Sequence, residues 1–233
     1  ANITEVDRIR SNPGSGVIVH NTHFMNDYII TSYYRDGVTV HDVTYPDNMI
    51  EVANYDTYAG SGNGFNGAWG VYPWLPSGNI IVSNIEDGLS VHGITYIRGC
   101  YLEGNVTDLF TSNPIPNATV SILSNSITTS TDLTGGYKSG LASANTYLVE
   151  FTAPGYIADT LPAVLSNGAI TVLDAQLSSL PSFALSGMVQ ETNTGNPIAN
   201  AEVSIINADF TFNLTTDGSG NFAIPTFYVG SYD

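Results

Sequence analysis

The histidines are the first residues whose types and spacing suggest chemistry. His20 and His23 stand three apart beside Asp27, and His41 and His92 fall 51 residues apart at matching places in a repeat. A zinc centre wants three or four convergent ligands and, for hydrolysis, a general base. The chain has no H-E-x-x-H, and its single cysteine is Cys100. Histidines bonded to backbone at strand edges are the alternative. Asp36, Asp42 and Asp87, with Glu86, are hard oxygen donors suited to calcium, the one cofactor this pattern leaves open. Asp-Gly hairpin turns account for the same aspartates. Asp217-Gly218-Ser219-Gly220-Asn221 has the outline of a calcium loop but lacks the downstream bidentate Glu, and reads as a turn. The acidic residues form no distinctive pair for glycoside hydrolysis, and no G-x-S-x-G elbow, phosphate loop or dinucleotide fingerprint is present. No enzyme is expected.

Aromatic side chains offer binding chemistry instead. Trp69, Tyr72 and Trp74, in a stretch rich in glycine, could stack sugars or protein partners, or wedge between sheets as core. Asn2, Asn105, Asn117 and Asn213 head N-x-[ST] sequons, and Thr160 lies in an Asp-Thr-Leu triplet that resembles a bacterial O-glycosylation acceptor; these five are the candidate glycosylation sites.

Composition narrows the partners. The chain has 233 residues, 21 acidic and 5 basic, for a net charge of −16. Nucleic acid and anionic membrane surfaces both require clustered cations, so neither is expected. No apolar run approaches a membrane span. Charged residues make up 11%, against roughly 25% in ordinary soluble proteins, while 42% are hydrophobic. A core is affordable, and the neutral polar remainder is common in secreted β-proteins. The opening ANITEV carries no signal-peptide features, so any leader is expected to have been removed or to lie upstream. Cys100 is expected to be a packed thiol or half of an intermolecular bridge.

The elements that must position these residues are strands. Short period-two runs such as VIVH, YIITSYY, NIIVSNI, YLVEF and FTFNLTT alternate with Gly, Asn, Pro and Asp turns, which makes the chain all-β. Two repeats organise it. Ile29 to Tyr45 recurs at 80–96, a strand, Asp-Gly turn and strand on the period of a propeller blade. Leu102 to Ile122 recurs at 185–205, and after a two-residue slip Thr131 to Tyr137 aligns with Thr216 to Phe222, and Tyr147 with Tyr232. The expected organisation is a propeller-like segment over 1–99 with two blades of an incomplete ring, a β-sandwich over 100–180, and a second, truncated sandwich over 181–233.

The pattern Gly104, Pro114, Asn117-Ala118, Val120, Asp132, Gly135 and Tyr137, with Ala153-Pro154-Gly155-Tyr156 downstream, resembles the carboxypeptidase regulatory-like family. That resemblance implies a transthyretin-like sandwich and a non-catalytic scaffold of secreted bacterial proteins. His20-Asn21, Asp36-Gly37-Val38, Asp42-Val43, Pro46, Gly67 to Pro73, Leu75 to Gly78 and Asp87-Gly88-Leu89 resemble the end of the choice-of-anchor B (LVIVP-repeat) bacterial surface proteins. Together they imply an extracellular or cell-surface structural protein, whose partners are copies of itself, other surface proteins or glycans. A subunit assembling head to tail into a fibre is one version. A carbohydrate-binding or adhesion segment, or the accessory tail, of a large secreted modular protein is the alternative.

Overall fold

The structure, a computed structural model, describes residues 2–11, 16–60, 64–125 and 127–233. Residues 61–63, within the glycine-rich stretch, lie outside the described residues. Apart from one 3-10 turn at Leu123–Asn125, every described regular element is a strand. No described helix is long and apolar enough to cross a membrane.

The first repeat folds as predicted in its strands. Strands β1 (Asn21–Met25), β2 (Tyr28–Ser32), β3 (Val38–Asp42) and β4 (Ile50–Tyr55) form one antiparallel meander, and β5 (Ala68–Tyr72), β6 (Ile80–Asn84) and β7 (Gly88–His92) form another. The repeat extends to register: Ile30 faces Val40, and 51 residues later Ile81 faces Val91. The Asp36-Gly37 turn needs its glycine. Its φ is +74°, and a Cβ there would lie 2.0 Å from the Tyr55 carbonyl oxygen. The first strand begins at Asn21 rather than in the Val17–His20 run, although the His20 N–H donates to the Ser32 carbonyl.

None of the sheets closes into a propeller or barrel. Instead the two meanders share a core of Ile30, Val40, Ile50, Ala68, Val71 and Val82, into which Tyr101 reaches from the following strand.

That strand opens a complete sandwich. Strands β8 (Cys100–Asp108), β9 (Thr119–Ile122), β10 (Ile127–Ser130), β11 (Gly136–Leu141), β12 (Asn145–Thr152), β13 (Asp159–Leu165), β14 (Ile170–Val172) and β15 (Ala175–Leu177) form two sheets. One runs β10-β9-β12-β13 and the other β11-β8-β14; β15 also joins β8, and β14 and β15 both lie parallel to it. Alternate residues point inward, so Leu102, Val106, Val120, Ile122, Val149, Phe151, Leu165 and Leu177 make a dry core. Cys100 is buried there as a free thiol.

Strands β16 (Ser182–Met188), β17 (Glu202–Ile206), β18 (Thr211–Thr215) and β19 (Asn221–Tyr228) repeat β8 to β11 in register from Leu185 onward, a bulge between Phe183 and Leu185 shifting the pairing before it. Gly104 faces Tyr137 and Gly187 faces Phe222; Val120 faces Thr129 and Val203 faces Leu214. Their turns repeat as well. The Thr131 hydroxyl donates to the Ile115 carbonyl at 2.6 Å and accepts from Ala118 N–H; Thr216 does the same with Ile198 and Ala201. The Tyr147 phenol donates to the Ser143 carbonyl, and Tyr232 to that of Tyr228, so the tyrosine alignment holds in geometry although Tyr232 lies beyond the last strand.

Burial separates the two copies. Leu102, Val120 and Ile122 are fully buried, whereas their counterparts Leu185, Val203 and Ile205 are only half-covered, and Ile115 at 5% exposed becomes Ile198 at 38%. Of β12 to β15 the described residues of the second copy show only a beginning, at Asp233, which exchanges two backbone hydrogen bonds with Ile206 on the edge where β12 lies beside β9 in the first copy.

Candidate interaction sites

The aspartates proposed for calcium are not gathered. Asp36, in the β2–β3 turn, accepts from the Ser11 hydroxyl. Asp87, in the β6–β7 turn, donates its backbone N–H to the Asn84 side-chain oxygen. Asp42 is fully buried with both oxygens occupied. Among the described residues no group of three His, Cys, Asp or Glu could hold a metal ion. The aspartates proposed for calcium do not converge: Asp42 is spent on Thr44, Arg98 and Gly99, and Asp36 and Asp87 lie in separate turns. Asp217 is likewise a turn residue, its Oδ1 accepting from Ser219 and Asn221 N–H, as Asp132 accepts from Thr134 and Gly136. Those bonds hold both carboxyls below their ordinary range.

Sequence reasoning missed the role of Asp42. Its Oδ1 accepts from Thr44 N–H and hydroxyl and from Arg98 Nη1 at 3.0 Å, and its Oδ2 from Gly99 N–H at 2.8 Å. Arg98 reaches on to Asp27 and lies over the Tyr28 ring. Lys138 adds a bridge to Asp47, and Asn48 donates to the Ser139 carbonyl. These contacts pin the meanders to the first sandwich. Burial pushes the Asp42 carboxyl up, but the bonds from Thr44 and Gly99 outweigh it and hold the group below its ordinary value. The available signal was Arg98 itself, a lone cation next to the start of a sandwich.

Three of the four histidines pack against aromatic rings. His20 packs on Trp69 at 4.4 Å, His23 on Trp74 at 4.7 Å and His92 on Tyr55 at 4.5 Å. His41 is 2% exposed, its Nε2 3.7 Å from Glu51, and burial lowers its pKa to about 4. The unfolded chain takes this proton near pH 6.5, so the folded state loses ground as pH falls from 6.5 towards 4. The loss reaches at most about 3 kcal/mol. Burial raises the Glu51 pKa, so proton uptake there favours the folded state and offsets part of the loss. The urea midpoint of the wild type is expected to fall between pH 7.5 and 5, and a His41→Gln variant is expected to flatten that slope.

Trp69, Tyr72 and Trp74 do not wedge between the sheets as core. They are 50%, 48% and 45% exposed. A bulge between Ala68 and Gly70 explains this. It lets Ala68 and Val71, three apart, both enter the core, so Trp69 and Tyr72 both face outward. The glycosylation candidates Asn2, Asn105, Asn117, Asn213 and Thr160 are all exposed. Asn117 occupies a left-handed turn position, φ +57°, that its counterpart Asn200 repeats without a sequon.

Residues 101–178 match the carboxypeptidase regulatory-like domain family. That span begins at the second residue of β8 and ends one residue past β15, so the matched unit is the complete sandwich. The choice-of-anchor B resemblance of the first hundred residues finds no support in the comparisons. No curated protein matches the chain. Among solved structures, the Streptococcal ancillary pilin overlaps 91% of this chain and 69% of its own at 10% identity and TM-score 0.40. Shaft pilin SpaA from Lactobacillus rhamnosus GG overlaps 59% and 85% at 12% identity and TM-score 0.36. The Bacillus anthracis TIE protein overlaps 95% and 50% at 14% identity and TM-score 0.34. These overlaps are loose, below the level at which two chains share a fold.

Proposed function

We propose that this chain is a non-catalytic structural protein of the bacterial cell surface. In this reading it is a string of β-modules divided near residues 99 and 180 that associates head to tail through its second sandwich. The observation that carries the reading is the repeat of the regulatory-like sandwich's first four strands, β8 to β11, as β16 to β19. In the first copy β12 lies beside β9, and β14 beside β8. In the second copy the edge of β17 is met at Ile206 by Asp233, which exchanges two backbone hydrogen bonds with it, no described strand lies beside the equivalent edge of β16, and the apolar face between them is half-covered. Unpaired strand edges over apolar surface are templates for a strand from another chain. A heterologous contact of that kind propagates instead of closing.

Gly187 offers the test. At Gly104 a Cβ would lie 2.1 Å from the carbonyl oxygen of Leu173, the residue that follows β14. At Gly187 the same Cβ meets only the Phe222 ring, a side chain that can turn away. Gly187→Ala is expected to fold with a small loss of stability and to lose association, because its methyl occupies the path of the incoming strand. Sedimentation velocity over a concentration series reads both. A wild type that stays monomeric at the highest concentration, or a variant that associates as the wild type does, overturns the proposal.

The half-exposed Trp69, Tyr72 and Trp74 favour a second role, carbohydrate binding or adhesion through the N-terminal meanders.

A further inference from the structure

We propose that the aromatic face of the two meanders is a platform for a neutral, gluco-configured polysaccharide chain. The proposal rests on the second role above and names its residues and its sugar class.

The geometry is that of braced, open rings. Trp69 is held by His20, and Trp74 by His23 and by Tyr72 at 5.4 Å, while each indole keeps about half its surface free. Rings fixed in this way lose little freedom when a ligand stacks on them. The bulge on β5 aims Trp69 and Tyr72 to one side, as bulges beside functional sites do. Gly70 stands between them. A Cβ there would come within 3.0 Å of the Ser83 hydroxyl and 3.9 Å of the Asn21 amide nitrogen, so the bare backbone leaves these two polar groups beside the rings. Next to Trp74 a groove of about 640 Å3, lined by Phe24, Met25, Pro73, Pro76 and Tyr96, continues the surface.

Charge selects the ligand. The chain carries −16, yet residues 16–26 and 64–85, which supply nearly all of this face, contain no charged side chain. An anionic glycan would be repelled by the protein's field, and a cationic partner would find no carboxylate on the face. A protein partner's docking patch has a contiguous apolar centre, whereas these rings are interspersed with hydroxyl, amide and imidazole groups. A pyranose whose hydroxyls are all equatorial matches that alternation. Its flat C–H faces cover aromatic rings, and its edge hydroxyls bond to polar neighbours. A β-1,4-linked glucan keeps such faces in one extended ribbon, suited to a platform that runs from Trp69 to the Trp74 groove.

The chain has two tryptophans, both in this surface, so intrinsic fluorescence reports directly on it. Full-length protein is titrated with cellohexaose, maltohexaose and an oligogalacturonate, with sedimentation measured on the same samples. The expected result is a saturable emission shift with cellohexaose, weaker with maltohexaose and absent with the acidic oligomer. Trp74→Ala is expected to weaken binding about tenfold, equivalent to about 1.4 kcal/mol, and Trp74→Phe to retain most of it with unchanged circular dichroism. No saturable shift with either neutral sugar, or full affinity in a Trp69→Ala/Trp74→Ala double variant measured by calorimetry, overturns the proposal. Loss of self-association in Trp74→Ala also overturns it, since the surface would then be a contact between copies. A monomeric protein that still binds cellohexaose supports the platform and removes only the head-to-tail reading.

Discussion

Asp42→Ala is expected to lower unfolding stability by about 3 kcal/mol, the upper end for leaving a buried hydrogen-bond donor without its acceptor. The carboxylate is fully buried and takes four hydrogen bonds, from Thr44 twice, Arg98 and Gly99. Without it the Gly99 N–H and the Thr44 N–H lose their acceptor where the meanders meet the sandwich, while Arg98 keeps Asp27 and the Thr44 hydroxyl. Asp42→Asn keeps the size and loses the charge, so a smaller cost is expected. The acid response has a definite sign. The folded-state pKa is depressed, so the unfolded chain binds the proton more readily. The contribution is therefore complete above about pH 4, the ordinary carboxylate value, and is lost as pH falls through the lower folded value. Denaturant melts at pH 7 and in steps from pH 5 to 3 check both points. A variant as stable as the wild type would show that the joint is held elsewhere.

Gly104→Ala is expected to cost about 3 kcal/mol, the upper end for an overpacked site. Its Cβ would fall 2.1 Å from the Leu173 oxygen and 2.7 Å from the carbonyl carbon. Backbone cannot rotate away as a side chain can, so β14 and β15 must shift from β8. The first sandwich depends on those parallel strands to cover Leu102 and Val106. Thermal melts of Gly104→Ala and Gly187→Ala side by side provide the check. Equal losses would mean that the close approach of Leu173 does not decide the cost.

Much of this was readable in the residues, and the reason differs from element to element. Period-two runs and Asp-Gly turns located the strands because alternation and turn chemistry are local. The offset between Gly104 and Gly187 even carried the register, since both copies use the same turn at Thr131 and Thr216. Long-range pairing was not readable. Nothing near Asp42 indicates that it lies against Gly99 and Arg98, 57 and 56 residues away. The outward aim of Trp69 and Tyr72 depends on one extra residue in β5, which strict alternation treats as noise. The separation of Asp36, Asp42 and Asp87 was hidden for a related reason: residue type alone does not indicate which donors each carboxylate meets.

The parallel placement of β14 and β15 on β8 also determines how the first sandwich carries load. The chain enters at Cys100 and leaves at Leu177, which lies beside Asp108 at the far end of β8. Tension applied through the two ends drags β8 and its parallel neighbours in opposite directions, so every rung between them is strained together and must fail together. In the second copy the outermost rung joins Ser182 to Tyr228, the start of β16 to the end of β19. Tension there peels the ladder one rung at a time, which takes far less force. A strand laid parallel to β16 and carrying the pull would load that edge in shear, as β14 and β15 load β8.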